Sequence, residues 1–180
     1  MRVLLLSNNW EVAQPLAEFL EAREHLILCE KDINTRRVNA DIAVSYCYRH
    51  ILKPETLAGY SGCVNLHNGY LPYGRGAQPL FFSVVYGEPC GVTVHWMDAG
   101  LDTGPIIAQK KTELYDGLTF RQAYEQQHRV LRELFYQHWQ YIKDTCGTYH
   151  TTKEFEQVKD ILGGDGWNCT LEAARRRWRA

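Results

Sequence analysis

A chain of 180 residues that is 45% hydrophobic and 23% charged has the make-up of one globular domain, or of one domain with a small appendage. Its formal net charge of −1 gives no reason to expect a long polyanion such as DNA or RNA as partner, so no nucleic-acid partner is expected. The amino terminus lacks the apolar segment of a signal peptide, and no window approaches the ~18 apolar residues of a bilayer span, so no membrane partner is expected either.

Arg2 to Ser7 is a short continuous apolar run, and the residues after it place Val12, Leu16, Phe19 and Leu20 at helical spacing before a second run, HLILCE. This is strand, helix, strand, the unit of a parallel sheet with right-handed crossovers. Ala40 to Tyr48 and Gly62 to His67 predict two more buried strands, separated by a short helix near KPETLAGY. AQPLFFSVVYG reads as a helix ended by Gly87, and GVTVHWMD and GPIIAQKKTEL as strands joined by the tight loop AGLDTG. A long amphipathic helix follows, with Tyr124, Val130, Leu131, Leu134, Phe135, Trp139 and Ile142 on one stripe. Beyond Thr145 the pattern weakens into a Gly-rich stretch and the basic segment LEAARRRWRA, read as an appendage with one last helix. The fold class is therefore α/β, a Rossmann-like, mostly parallel sheet with flanking helices and a short C-terminal appendage.

Several chemistries are excluded by what the elements carry. The first strand runs into SNNWE, without the glycines that cradle phosphate in a dinucleotide site or P-loop, and GGDG near Gly163 is too late to supply them. There is no GxSxG elbow, so Ser61 and Ser83 read as packing or surface serines. Cys29, Cys47, Cys63, Cys90, Cys146 and Cys169 form no CxxC pair and read as reduced thiols of a cytoplasmic protein, with no cluster tight enough for a metal.

The segment VNLHNGYLPYGRG carries the candidate site. Side chains at i and i+2 of a strand share a face, so Asn65 and His67 stand together at a strand end while Leu66 turns into the core. Asp102 lies in a Gly-flanked loop, and if the two strands are sheet neighbours it can reach His67, orient the ring and favour the imidazolium. Asn65 offers an amide N–H to a developing oxyanion. A base, an orienting acid and an oxyanion donor without a side-chain nucleophile imply that the substrate is the nucleophile, and an amine attacking an acyl group fits best. His95 reads as a brace for the Asp102 loop. Asp98 competes for the acid role but lacks the Asp-x-Gly context. Tyr70, Tyr73 and Arg75 on the polar loop read either as contacts to a base or phosphate of the substrate or as loop scaffolding.

Asn65-x-His67, the following YLPYGRG and the later VHWMDAGLDTGPI together resemble the active-site signature of the 10-formyltetrahydrofolate-dependent formyltransferases. The similarity runs from about Val3 to Lys143, which marks residues 1–144 as the catalytic domain and 145–180 as the appendage. The resemblance implies Asn65, His67 and Asp102 as the catalytic trio. It also implies a folate pocket walled by Tyr48, Arg49, His50, Ile51 and Leu52 and by Met97, Asp98, Gly100 and Leu101, with 10-formyltetrahydrofolate as formyl donor. Trp10 falls where relatives touch the acceptor, or else packs the start of a helix. SNNWE lacks the phosphate loop of the glycinamide ribonucleotide branch, 180 residues leave no room for the RNA-binding domain of the methionyl-tRNA branch, and Asn68-Gly69 after the His is similar to the sugar-modifying branch. The expected reaction is N-formylation of a nucleotide-activated amino sugar for surface polysaccharide. The alternatives are an aminoacyl or peptidyl amine acceptor, a formyltetrahydrofolate hydrolase, and a non-catalytic binding module. The partners expected are small molecules, and the apolar strands leave room for a homodimer.

Overall fold

In a computed structural model, residues 1–148 and 169–178 are described. GGDG and the indole of Trp178 lie outside the described structure. Strand β1 (Arg2–Leu6) leads through helix α1 (Trp10–Glu21) to β2 (His25–Cys29), and β3 (Ile42–Tyr46) through the single turn α2 (Pro54–Leu57) to β4 (Gly62–His67). After α3 (Pro79–Tyr86) come the strands β5 (Gly91–Trp96) and β6 (Ile106–Lys111), the long α4 (Phe120–Thr145) and α5 (Leu171–Trp178).

The sheet order is β2-β1-β3-β4-β5-β6. The pairings β1 with β2, β1 with β3 and β3 with β4 are parallel, whereas β5 is antiparallel to both its neighbours and alone runs against the other five. The chain steps outward from β1 to β2 and then returns to the other side of β1 as β3. That reversal opens a crevice at the carboxyl ends of the two strands, where α/β sheets bind their ligands.

Alternation along the buried strands makes two cores. Val3, Leu5, Val44, Tyr46, Val64, Leu66, Val94 and Trp96 pack one face against Leu16 and Leu20 of α1 and Leu131, Phe135, Trp139 and Ile142 of α4. Leu4, Leu6, Ala43 and Cys63 pack the other face against Ile33, Leu52 and Tyr60. A continuous apolar run is what a strand covered on both faces requires, and β3 is buried at all five positions. α1 begins at Asn9, whose side chain accepts from the Val12 N–H. α4 begins in a reciprocal capping box between Thr119 and Gln122.

The C-terminal helix is built into the molecule. Leu171 and Ala174 are fully buried in a third cluster with α3, Leu118 and Phe120. A bridge between Thr119 and Thr170 ties the start of α5 to the start of α4. Within the basic segment, Arg175 donates to the Val84 carbonyl and pairs with Asp116, while Arg176 pairs with Glu172 on the exposed face.

Candidate active site

The register of β4 against β5 sets Asn65 opposite His95 and His67 opposite Thr93. Leu66 turns into the α4-side core, so Asn65 and His67 share the opposite face, as the alternation requires. The loop between β5 and β6 is closed by the Trp96 N–H on the Pro105 carbonyl and held to β4 by the Met97 N–H on the Cys63 carbonyl. It carries Asp102 over the end of β4 in a left-handed backbone conformation, φ 51°. Asp98 faces its own loop, accepting from the Gly100 N–H at 3.0 Å and the Thr103 hydroxyl at 2.7 Å, and leaves the place beside His67 to Asp102.

Four groups converge on the Asp102 carboxylate. Oδ1 accepts from Asn65 Nδ2 at 3.0 Å and lies 3.4 Å from His95 Nε2; Oδ2 accepts from the Gly76 N–H at 2.8 Å and lies 3.5 Å from His67 Nδ1. Burial raises the carboxyl pKa, but His67, His95 and the Gly76 N–H outweigh it and hold the group well below the usual carboxylate range. His67 Nε2 lies 2.9 Å from the Gly74 carbonyl. A carbonyl only accepts, so Nε2 carries a hydrogen and Nδ1, facing Asp102, is the basic nitrogen. Burial pulls His67 below its ordinary value of 6.5 against the opposing pull of Asp102. By the same reasoning His95 donates Nδ1–H to the Trp96 carbonyl at 2.8 Å and offers the Nε2 lone pair to Asn65 at 3.2 Å. The Asn65 amide is thus oriented by two acceptors.

The trio lies in the wall of a cavity of about 770 Å³. All nine residues expected to hold folate, from Tyr48 through Leu52 and from Met97 and Asp98 to Gly100 and Leu101, line it. Tyr48, Leu52 and Met97 belong to the core opposite α4. The α4 side of the cavity is formed by Asn8 and Asn9 and by Cys47, Tyr124 and His128, the last three of which the sequence reading did not single out as a wall. Their signal was present but faint: Tyr124 and His128 are four residues apart on α4 and so share a helical face.

Trp10, Tyr70, Tyr73 and Arg75 are not brought into this lining. The Trp10 ring packs on the α1 core and its Nε1 reaches Glu30 Oε2 at 3.4 Å. Tyr70 lies under the Lys111 ammonium, 5.4 Å from the ring centroid, and Tyr73 and Arg75 are exposed. The physical reason is that the loop meets the site with its backbone, through the Gly74 carbonyl on His67 and the Gly76 N–H on Asp102, so its side chains turn away.

The family model described as formyl transferase matches residues 11–138. The chain belongs to the formyl transferase family. It is 36% identical over 117 residues to a dTDP-4-amino-4,6-dideoxyglucose formyltransferase of Mycobacterium tuberculosis, covering 60% of this chain and 50% of that protein. A methionyl-tRNA formyltransferase of Acetivibrio thermocellus is 33% identical over 117 residues, 63% of this chain and 35% of that one. The chain therefore spans about half the length, or less, of the curated relatives it matches. Among solved structures, the formyltransferase PseJ from Anoxybacillus kamchatkensis, in complex with UDP-4,6-dideoxy-4-formamido-L-AltNAc and tetrahydrofolate, superposes with a TM-score of 0.79 at 29% identity, covering 97% of both chains. The mixed six-stranded sheet with its flanking helices is the formyltransferase fold.

Proposed function

We propose that this formyl transferase family member moves the formyl group of 10-formyltetrahydrofolate to a primary amine of a nucleotide-activated amino sugar. The observation that carries the reading is the convergence of Asn65, His67 and His95 on one buried carboxylate, Asp102, at the wall of a cavity of small-molecule size. The likeness to PseJ over nearly its whole length supports the sugar acceptor.

The folate side of the cavity suits a flat heterocycle, because Ile51, Leu52, Met97 and Leu101 supply apolar contact while the peptide groups of the same loops supply donors and acceptors. The free amine attacks the formyl carbon. The formyl oxygen takes over the hydrogen that Asn65 lends to His95, the longer of its two contacts, so the amide meets the oxyanion without leaving Asp102. His67 Nδ1 takes the proton released from the amine, and Asp102 stabilises the imidazolium that results. Collapse of the tetrahedral adduct breaks the bond to the folate nitrogen, which recovers the proton. General acid/base work of this kind contributes about 10²–10⁴ in rate, and one oxyanion donor about 10²–10³.

The reading extends to a cytoplasmic enzyme of surface-polysaccharide synthesis, with residues 1–144 as the catalytic unit and 145–180 as its appendage. Among the described residues no helix is long and apolar enough to cross a membrane. The deciding experiment measures tetrahydrofolate released from 10-formyltetrahydrofolate with a panel of nucleotide-linked amino sugars, beside an Asp102→Ala control. Turnover that requires one amino sugar and is lost in the control is expected. Formate release without an amine would instead identify a hydrolase.

A further inference from the structure

The α4 side of the cavity contains a buried polar chain that the proposed chemistry does not use. Arg132 donates to the Tyr46 hydroxyl oxygen at 3.3 Å and to the Val12 carbonyl at 3.3 Å, and the Tyr46 hydroxyl lies 2.7 Å from His128 Nδ1. A guanidinium can only donate, so the Tyr46 oxygen accepts from Arg132; the hydroxyl is fully buried, and the acceptor that meets its own hydrogen among the described residues is His128 Nδ1. His128 Nδ1 is therefore an acceptor, and the hydrogen of the neutral ring sits on Nε2. That Nε2 is buried and has no hydrogen-bond partner among the described residues. The residue is 3% exposed, yet it lines the cavity beside Tyr124, whose ring centroid is 4.1 Å away. Folded proteins rarely leave a buried donor unmet unless a ligand or water meets it.

We propose that His128 is a recognition residue for the amine substrate, its Nε2–H, held in that tautomer by Tyr46 and Arg132, binding an uncharged oxygen of the amino sugar: a ring hydroxyl or the carbonyl of an N-acyl group. The inference rests on the reading of the cavity as a formyl-transfer site with an amino-sugar acceptor. It adds a place for that acceptor: folate against the loops of one sheet face, and the sugar against α4 on the other. Burial and the nearby Arg132 lower the imidazole pKa to about 3, so the ring remains a neutral donor. A neutral donor suits a hydroxyl or carbonyl, whereas a phosphate buried there would want a direct charge partner.

The test uses the whole chain, with steady-state kinetics and imidazole nitrogen NMR. In His128→Phe the KM for the amino sugar rises about tenfold, as loss of one hydrogen bond implies, while kcat and the KM for 10-formyltetrahydrofolate change little. His128→Gln, which keeps an N–H donor, recovers part of the loss. A penalty confined to N-acetylated sugars assigns the contact to the carbonyl, and one shared by sugars lacking that group assigns it to a hydroxyl; either supports the proposal. The NMR signature in the wild type is the Nε2–H tautomer, shifted by the nucleotide-linked amino sugar, with the tautomer preference weakened in Tyr46→Phe. The proposal is overturned by an Nδ1–H tautomer, by a resonance that no nucleotide-linked amino sugar perturbs, or by a His128→Phe penalty that falls equally on the bare nucleoside diphosphate. Absence of wild-type turnover with every amino sugar would count against formyl transfer instead, and the NMR arm would still decide the role of His128.

Discussion

Each oxygen of Asp102 is a required acceptor, one for the Asn65 amide and one for the Gly76 N–H. Asp102→Asn turns one of those oxygens into a donor facing donors and removes the charge that favours protonated His67. Two effects are expected in the kcat pH profile: kcat drops by about 10²–10⁴, and the acid limb moves down. Burial already pulls His67 below 6.5 and only Asp102 and the Gly74 carbonyl oppose that pull, so the wild-type limb falls below pH 6.5 and the variant limb lower still. A wild-type limb above 6.5 would contradict His67 as the buried base. Gly69→Ala is the steric counterpart, because an added Cβ would come within 2.6 Å of His67 Nε2 and 2.8 Å of Pro79 Cβ. Activity should be lost while the circular dichroism spectrum stays that of the wild type. Asn65 and His67 were legible in the sequence because strand alternation leaves no other arrangement for i and i+2. Composition left open whether Tyr70, Tyr73 and Arg75 meet a substrate or scaffold their loop, because it does not reveal whether a loop turns its side chains or its peptide groups toward a site; the three stand outside the cavity lining.

The trio depends on how its elements are joined. Only β4, β5 and the loop between β5 and β6 bring position 102 to position 67, and Gly104 closes that loop where any Cβ would collide with the Trp96 carbonyl. Gly104→Ala should displace the Asp102 loop and abolish activity, and folate affinity should fall with it because Met97 to Leu101 shift too; retained folate binding measured by calorimetry would show that the loop yields without moving. Away from the site, Thr119→Ala removes the capping box of α4 and should cost about 1 kcal/mol in urea denaturation with kcat unchanged. The long helix and the two hairpin-linked strands could be read from periodicity and turn residues. The reversed direction of β5 relative to β4 could not, since a buried strand reads the same in either sense. Nor could the docking of α5 on α3, where Leu171 and Ala174 are too few to announce a core face but are fully buried in it.

At the scale of the whole molecule the buried imidazoles set how the fold responds to acid. His128 is neutral in the folded state down to about pH 3, while the unfolded chain binds its proton near 6.5. Between those values the unfolded state holds more protons, so stability is full above about 6.5 and drains as pH falls; His67, also lowered, adds in the same direction. His128→Gln should therefore flatten the fall of the denaturation midpoint between pH 6.5 and 3 relative to the wild type, and an unchanged slope would place the protonation elsewhere. The amino-acid sequence by itself determined the strand and helix succession, the α/β class and the shared face of Asn65 and His67, because those follow from local periodicity. Only the tertiary structure decided what lies on the far side of the cavity. Asn8, Cys47, Tyr124 and His128 come from the segments that follow β1 and β3 and from α4, up to 120 positions apart, and become neighbours because the chain reverses between β2 and β3 and α4 returns across the sheet. Side chains that meet through topology rather than spacing leave no pattern along the chain, and the unmet hydrogen of His128 is visible only once burial has removed every other partner for it.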